Sequence, residues 1–566
     1  MLTVNYLKPI DMRRIALAFF GVITCTLLPA QYSFVKQWDY RYGGVNHNYV
    51  NSVFQTSNSG YILIGGATLD NTGNQTAISK GSRDIWMVKI DSVGNMKWDN
   101  SYGTNAYEAA VGALTKNDGY ILASPSSGGI NGDKSEPSRG GDDYWIVKTD
   151  AEGNKIFDRC FGGTNSDYVT CIQETQDGGY LIGGSTTSGI GGDKTQENWD
   201  VSQFYDDYWV VKVDSAGNKQ WDRRFGGLLQ DGLTSIVVCN DGGYILVGSS
   251  NSNMDGDRTV PRNGGGDIWI VKIDSAGNKM WDRAYGGTCG ETPREIINTN
   301  DGGYLIGGES CSGIGGDKTQ ANKGSWDYWI VKIDSMGNIL WDKDFGGSLT
   351  ENLNSITTTS DGGFLISGRS DSPNGGDKTE MNPFTMFGEM HVQTWVIKTD
   401  SAGNKQWDKT ILTAEIQTPK EFNSGNAIQT NDGCYLLGAT TNAQIGGYKT
   451  QANWDTSGYY YDIWVMKFCM EPYNSIMPVE AGESFGLSVY PTPFATDVAI
   501  SVQKENLREA TFTITNSLGQ IIYQRAENNL SQGYTKMLDL RYLPKGLYFI
   551  TVEADGERVV RRVVKE

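Results

Sequence analysis

The stretch at residues 327–347, DYWIVKIDSMGNILWDKDFGG, recurs seven times along this chain. That recurrence limits the fold more than any other feature. Each copy has an apolar run ending in Asp, a Ser-x-Gly-Asn turn, and a second run ending in Trp-Asp and a Gly pair. Two apolar runs around a turn of this chemistry make a β-hairpin, here with an aromatic anchor on each arm.

Three elements mark each unit. The Trp-Asp element stands at Trp38, Trp98, Trp221, Trp281, Trp341 and Trp407, with Phe157 in its place once. The spacing is roughly sixty residues, longer than common propeller repeats. The turn-strand DGGYLIGG begins at Asp177 and Asp301, with variants at Ser59, Asp118, Asp241, Asp361 and Asp432. A third strand surrounds Trp86, Trp145, Trp209, Trp269, Trp329, Trp395 and Trp464. Each unit therefore offers four strands, as at 235–239, 244–249, 267–274 and 279–285. Runs apolar on both faces suit sheets packed between two others, and a four-stranded sheet repeated radially is a propeller blade.

A copy of the fourth strand, 35–42, precedes any complete unit. The last unit has its third strand at 462–468 and then runs into CMEPYNSIMP, without a fourth. The reading is an all-β chain: a seven-bladed β-propeller over 31–468, its ring closed by the N-terminal strand. Closure removes exposed sheet edges. The short turns then lie at one end, and the long variable connections, where binding concentrates, at the other.

Outside the repeat, residues 1–30 read as a secretory signal. Arg13 and Arg14 precede an apolar stretch, Leu-Pro-Ala stands before Gln31, and Met12 is an alternative start. Later segments are too polar to span a membrane. Residues 469–484 read as a linker, and 485–566 alternate as short strands of a small Ig-like β-sandwich. Within them, VYPTPF at Val489, NSLGQIIYQ at Asn516 and LPKGLYFITVEADGERVVRRVVKE at Leu543 resemble the type A C-terminal sorting domain of the type IX secretion system of Bacteroidota. Thr492 stands where that family usually has Asn, and Glu566 is a further departure. The resemblance implies the type IX secretion machinery as partner. It implies inner-membrane passage by the signal peptide, removal of the C-terminal domain, and an extracellular or outer-membrane-surface location. More loosely, D-S-x-G-N-x-x-W, as at 214–221, is similar to the Asp-box of sialidase-like propellers and to the tryptophan-docking repeat of quinoprotein dehydrogenases. Both are structural devices, so neither implies catalysis.

The formal charge is −18, which disfavours nucleic acid as a partner. Cysteines show no CxxC spacing, so zinc is not expected. Cys160–Cys171 and Cys289–Cys311 are candidate disulfides in an exported protein.

The repeated Trp-Asp carboxylates read as scaffold, because a catalytic pair would be expected once. The GGDKT loops at Asp133, Asp193, Asp257, Asp317 and Asp377 read as structured turns. No cofactor is predicted, and Ca²⁺ is the one metal left open: Asn251, Asn253, Asp255 and Asp257 alternate like a Ca²⁺ loop but lack its terminal Glu. His47 and His391 belong to neighbouring units, and no Ser or Cys motif accompanies either. Aromatics that escape the repeat are the candidate ligand-binding residues: Trp199, Phe204 and Tyr205 in the third unit, and Trp454, Tyr459, Tyr460 and Tyr461 in the seventh. Trp326, Phe384 and Phe387 join them in the fifth and sixth. The expected function is a secreted or cell-surface binding protein for glycan or protein ligands. The alternative is a glycan hydrolase or lyase, which needs unrepeated acids.

Overall fold

A computed structural model describes residues 32–380, 392–413, 424–472 and, apart from short stretches, 486–565. The signal-peptide reading, Phe384, Phe387, His391 and most of the expected linker lie outside the described residues. The chain divides into two compact units, Met1–Pro472 and Tyr473–Glu566.

The first unit is a propeller-like series of seven four-stranded antiparallel sheets. They occupy residues 48–102, 111–161, 167–225, 231–285, 291–345, 351–411, and 424–472 joined by Tyr32–Tyr42. In the seventh sheet the N-terminal strand Tyr32–Tyr42 pairs antiparallel with Asp462–Pro472. Both strands run a few residues beyond the predicted 35–42 and 462–468. The first strand of the fourth sheet, Asp231–Val238, also begins earlier than 235. A bulge between Leu233 and Ser235 shifts the alternation there, so a polar, Gly-containing segment hides the start.

Third strands are buried along their whole length in most sheets, as at Asp207–Val213, Asp267–Ile273 and Asp327–Ile333. Their Trp is the centre of a node repeated in all seven sheets. The indole Nε1–H donates to the Trp-Asp carboxylate of the fourth strand at 2.9–3.1 Å. The same carboxylate accepts a backbone N–H from the GGDKT-type loop, from Thr76, Ser135, Thr195, Thr259, Thr319, Thr379 or Thr450, at 2.7–3.1 Å. The repeated Asp is thus a buried hub for two strands and a loop. In the seventh sheet this hub joins the chain ends: Trp464 donates to Asp39.

The Ser-x-Gly-Asn turns, and Ala-Glu-Gly-Asn at 151–154, are held by the Asp just before them. Asp91, Asp150, Asp214, Asp274, Asp334 and Asp400 each accept the N–H of the Asn four residues on, at 2.7–2.9 Å. The turn glycine has φ between 75° and 87°, a conformation that costs Gly least. It also makes room. A side chain at Gly277 would meet the Trp221 ring of the preceding sheet at 3.0 Å, and one at Gly337 the Trp281 ring at the same distance. Trp38 of the seventh sheet stands in this relation to Gly94 of the first.

A second stitch joins adjacent sheets. The carbonyl before the third strand accepts an N–H from the next sheet, at the start of its first strand or, for Glu108, just ahead of it. The pairs are Arg83 with Glu108, Asp142 with Asp167, Asp206 with Asp231, Gly266 with Glu291 and Trp326 with Glu351. Tyr461 and Asn48 repeat it between the seventh sheet and the first, at 2.8 Å.

Disulfides join Cys289 to Cys311 and Cys434 to Cys469. Cys160 and Cys171 are buried free thiols, which corrects the pairing expected from their proximity in sequence. Cys434 lies one residue before Tyr435, which faces Phe468 across the ladder; Cys469 is therefore its cross-strand neighbour.

The second unit stacks a three-stranded sheet (Gly486–Tyr490, Asp497–Gln503, Tyr534–Asp539) on a four-stranded one (Glu509–Asn516, Ile521–Asn528, Gly546–Ala554, Glu557–Lys565). Val498, Ile500, Phe512, Ile550, Val552 and Val563 of the two sheets form one core.

Candidate functional site

The long connections between second and third strands carry the aromatics that break the repeat. Two of them are the same loop. Residues 198–207, NWDVSQFYDD, and 453–462, NWDTSGYYYD, match at every structural position. In each, the Asn amide donates to a strand carbonyl, Thr186 or Thr441, at 2.7 Å. The Asp is an internal cap. Asp200 accepts the N–H groups of Ser202, Phe204 and Tyr205 at 2.9–3.0 Å. Asp455 does the same for Ser457, Tyr459 and Tyr460 at 2.8–2.9 Å. Asx geometry of this kind closes a tight loop without help from a sheet.

The cap presents two rings edge to face. Phe204 and Tyr205 lie 5.0 Å apart at 87°, and Tyr459 and Tyr460 lie 5.0 Å apart at 86°. Phe204 is 76% exposed and Tyr459 67%. These rings are held apart from the core by their own backbone rather than by packing.

The two tryptophans have a different position. Trp199 lies under Arg224, 4.8 Å from its guanidinium, and donates Nε1–H to Asp257 of the next sheet's loop at 2.9 Å. Trp454 lies 3.8 Å from the Arg41 guanidinium. Each ring occupies the space over a glycine with positive φ: Gly256 (59°), where a side chain would meet Trp199 at 2.8 Å, and Gly73 (64°), where it would meet Trp454 at 2.7 Å. Both indoles bridge neighbouring sheets and stay exposed, Trp199 at 39% and Trp454 at 37%. Tyr461 is only 7% exposed. Its ring lies 5.2 Å from His47, nearly parallel, and its carbonyl belongs to the inter-sheet stitch. The sequence groups seven aromatics; the structure brings them into two clusters, with Phe204 and Tyr459 the most exposed, Trp199 and Trp454 exposed to a lesser degree, Tyr205 and Tyr460 half-buried and Tyr461 buried.

Around the seventh sheet's loop the cluster is larger. His47 stacks on Tyr49 at 5.6 Å and meets Tyr460 edge-on at 4.7 Å. Burial, and then the charge of Arg83, depress the His47 pKa against the opposing pull of Asp455. Trp326 is half-buried and contributes its carbonyl to the stitch.

The loop aspartates are engaged as acceptors. Asp193, Asp317 and Asp377 each accept an N–H from the first Gly of the preceding Gly pair, and Asp133 from Gly103 of a Gly-Thr pair, at 3.1–3.2 Å. Asp257 takes Gly226, Trp199 and Arg224 on one oxygen, and Asp255 takes Leu228. Among the described residues, no three His, Cys, Asp or Glu side chains converge as metal ligands.

One polar group was missed. Glu309 stands at a second-strand position held by Gly66, Ser185 and Ser249 elsewhere. Arg294 donates to it at 2.7 Å, Asn352 also donates to it, and Arg369 donates to Asn352 at 2.6 Å. Nearby in sequence, Glu295 accepts the Ile356 N–H, and burial pushes its pKa up to about 7. Comparing the repeat column by column would have exposed both acids.

Among the described residues, no helix is long and apolar enough to cross a membrane. Two curated proteins match parts of the chain. The regulatory protein FlaEY of Caulobacter vibrioides is 27% identical over 208 residues, covering 34% of this chain and 21% of that protein. The uncharacterized WD repeat-containing protein L264 of Acanthamoeba polyphaga mimivirus is 27% identical over 193 residues, covering 32% of this chain and 12% of that protein. The chain thus spans less than a quarter of either relative. A protein of unknown function from Dyadobacter fermentans is structurally similar at 11% identity and a TM-score of 0.37, over 77% of this chain and 99% of its own. Residues 488–566 match the secretion system C-terminal sorting domain. A tail of this kind implies export through the type IX secretion machinery to the cell surface or extracellular space.

Proposed function

We propose that residues 32–472 close into a seven-bladed β-propeller, and that the exported protein binds glycan or protein ligands through the long-loop end of that ring. Closure is supported by the indole–Asp hub at Trp464 and Asp39, which completes the seventh sheet with the N-terminal strand, and by two inter-sheet contacts that recur between the last and first sheets: Trp38 over Gly94 and the Tyr461–Asn48 stitch. Residues 12–30 act as the signal peptide of a Bacteroidota cell.

The observation that carries the binding reading is the twofold occurrence of one Asp-capped loop, each copy presenting an edge-to-face aromatic pair. An apolar ring held in water by its own backbone adds nothing to the core. It is suited to stacking on a sugar face or anchoring a partner. The test is a glycan array and a panel of extracellular proteins probed with the full chain, followed by the Phe204→Ala/Tyr459→Ala double variant. Affinity for any captured ligand falls about tenfold or more with an unchanged unfolding midpoint; unaltered affinity refutes the assignment. The enzyme reading draws on Glu295 and Glu309, the unrepeated carboxylates. Turnover of an array glycan that is lost in Glu295→Gln would favour it over binding alone.

A further inference from the structure

The inter-sheet stitch has a constant backbone and variable side chains. Beside it lie Arg83 and Tyr107 between the first two sheets, Asp142 and Ser166 at the next junction, then Asp206 and Gln230, Gly266 and Gly290, Trp326 and Thr350, and finally Tyr461 and His47. The junction of sheets one and two is the one with a cation. The Arg83 guanidinium lies between two tyrosine rings, 4.4 Å from the centroid of Tyr49 and 4.2 Å from that of Tyr107. It also donates to the Tyr107 hydroxyl.

Among the described residues, no carboxylate forms an ion pair with Arg83, and its buried Nε has no hydrogen-bond partner. Burial accordingly lowers its pKa, and only Tyr49 opposes that. On a chain of net charge −18, carboxylates are abundant, so a half-buried arginine held away from all of them is unusual. Two aromatic faces offset part of its desolvation and the tyrosine hydroxyls take part of its donor set, but no carboxylate of the described residues meets the fork. Tyr49 continues the surface to His47, whose buried Nδ1 also lacks a partner, and from there to Tyr460 and the exposed Tyr459. The site is a strip of rings with one guanidinium set into it that has tyrosine partners but no carboxylate.

We propose that this strip binds an anionic glycan, with a carboxylate or sulfate on Arg83 and sugar faces on the flanking rings. The fork geometry of Arg matches a planar or tetrahedral oxyanion with two parallel hydrogen bonds. Ring faces match the C–H face of a pyranose. The proposal rests on the binding reading above and specifies its ligand.

The test is calorimetric titration of the full chain with four tetrasaccharides: oligogalacturonate, its methyl ester, a sulfated galactose oligomer and the neutral galactose oligomer. At least one anionic probe binds tenfold or more tighter than the ester and the neutral oligomer, and its affinity falls with added salt. Arg83→Gln removes that preference, and Tyr107→Ala weakens binding. Arg83→Lys keeps the charge but loses the fork, and recovers only part. Arg262→Gln, at a half-buried arginine of the fourth sheet's loop, changes nothing. The two anionic arms tell carboxylate from sulfate recognition. Equal binding of neutral and anionic probes overturns the anionic assignment while leaving glycan binding intact. Binding of no probe overturns the anionic assignment too, and a protein ligand from the panel would then preserve the broader reading. If Arg83→Gln melts early, Arg83→Lys and Tyr107→Phe carry the comparison.

Discussion

Replacing Asp222 by Ala tests the hub that repeats in every sheet. Asp222 is 2% exposed and accepts four hydrogen bonds. They come from Trp209 Nε1 at 3.1 Å, the Thr195 N–H at 3.0 Å, the Thr195 hydroxyl at 2.9 Å and Lys219 Nζ at 2.8 Å. Lys219 reaches solvent and recovers water when the carboxylate is lost. The indole N–H does not, because Trp209 is fully buried. A stranded buried donor costs about 1–3 kcal/mol, and the lost charge-assisted bonds add to it. The expectation is a loss of about 2–4 kcal/mol for Asp222→Ala at pH 7. Asp222→Asn keeps one acceptor oxygen and loses about 1–3 kcal/mol. The assay is urea unfolding followed by tryptophan fluorescence. All 16 tryptophans lie between residues 38 and 464, so the signal reports only the sheet-repeat unit. The pH dependence is a second check. Burial raises the Asp222 pKa, but the hydrogen bonds from Lys219, Thr195 and Trp209 outweigh it and the net shift is downward. A carboxyl with a depressed folded-state pKa stabilises above its unfolded pKa of about 3.9 and loses that contribution as pH falls through its folded value. The gap between native protein and variant should therefore close below about pH 4. Asp282, with Trp269, Thr259 and Lys279 in the same places, should behave alike. A loss under about 1 kcal/mol in both Ala variants would show that the hub is incidental to the sheets.

Two further predictions concern titration and cross-linking. Burial pushes Asp207, Asp327 and Asp462 up to about 7; the folded protein then holds more protons than the unfolded chain between about pH 4 and 7. Stability should fall as pH rises through that window, and Asp207→Asn should flatten the slope; a denaturation midpoint that rises with pH from 5 to 7 contradicts the assignment. The cross-links Cys289–Cys311 and Cys434–Cys469 close loops of 22 and 35 residues and should each contribute about 3–4 kcal/mol. Peptide mapping without reduction should recover both pairs with Cys160 and Cys171 free, and dithiothreitol should lower the urea midpoint. Recovery of a Cys160–Cys171 peptide overturns that framework.

The repeat was legible because its information is local. A hairpin needs an Asp to cap the turn, a Gly at φ near 80° and apolar arms, and all three lie within a dozen residues, as at Asp274, Gly277 and Trp281. The sandwich strands were legible for the same reason, from Gly546–Ala554 alternating beside Glu557–Lys565. The pairing of the N-terminal strand with the last unit was legible from the missing fourth strand, but the side-chain contacts that follow from it were not. His47 lies among Tyr459, Tyr460 and Tyr461, more than four hundred positions away, and only the pairing of Tyr32–Tyr42 with Asp462–Pro472 brings them together. Exposure was harder still. Tyr459 and Tyr461 are two residues apart in one aromatic run, yet one ring stands in water and the other is buried against an imidazole. The Asp455 cap turns the chain between them, and no composition argument anticipates that. The position of Arg83 lies between these cases. It occupies a column, one residue before the third strand, that holds Asp142, Asp206, Gly266, Trp326, Val392 and Tyr461 in the other units. A column that varies freely inside an invariant backbone context is one the fold leaves unspecified. In a repeat chain such columns, rather than the repeated motif, are where selection for a ligand can act without disturbing the sheets. Arg83 is the cationic member of that column, held by tyrosines rather than by a carboxylate.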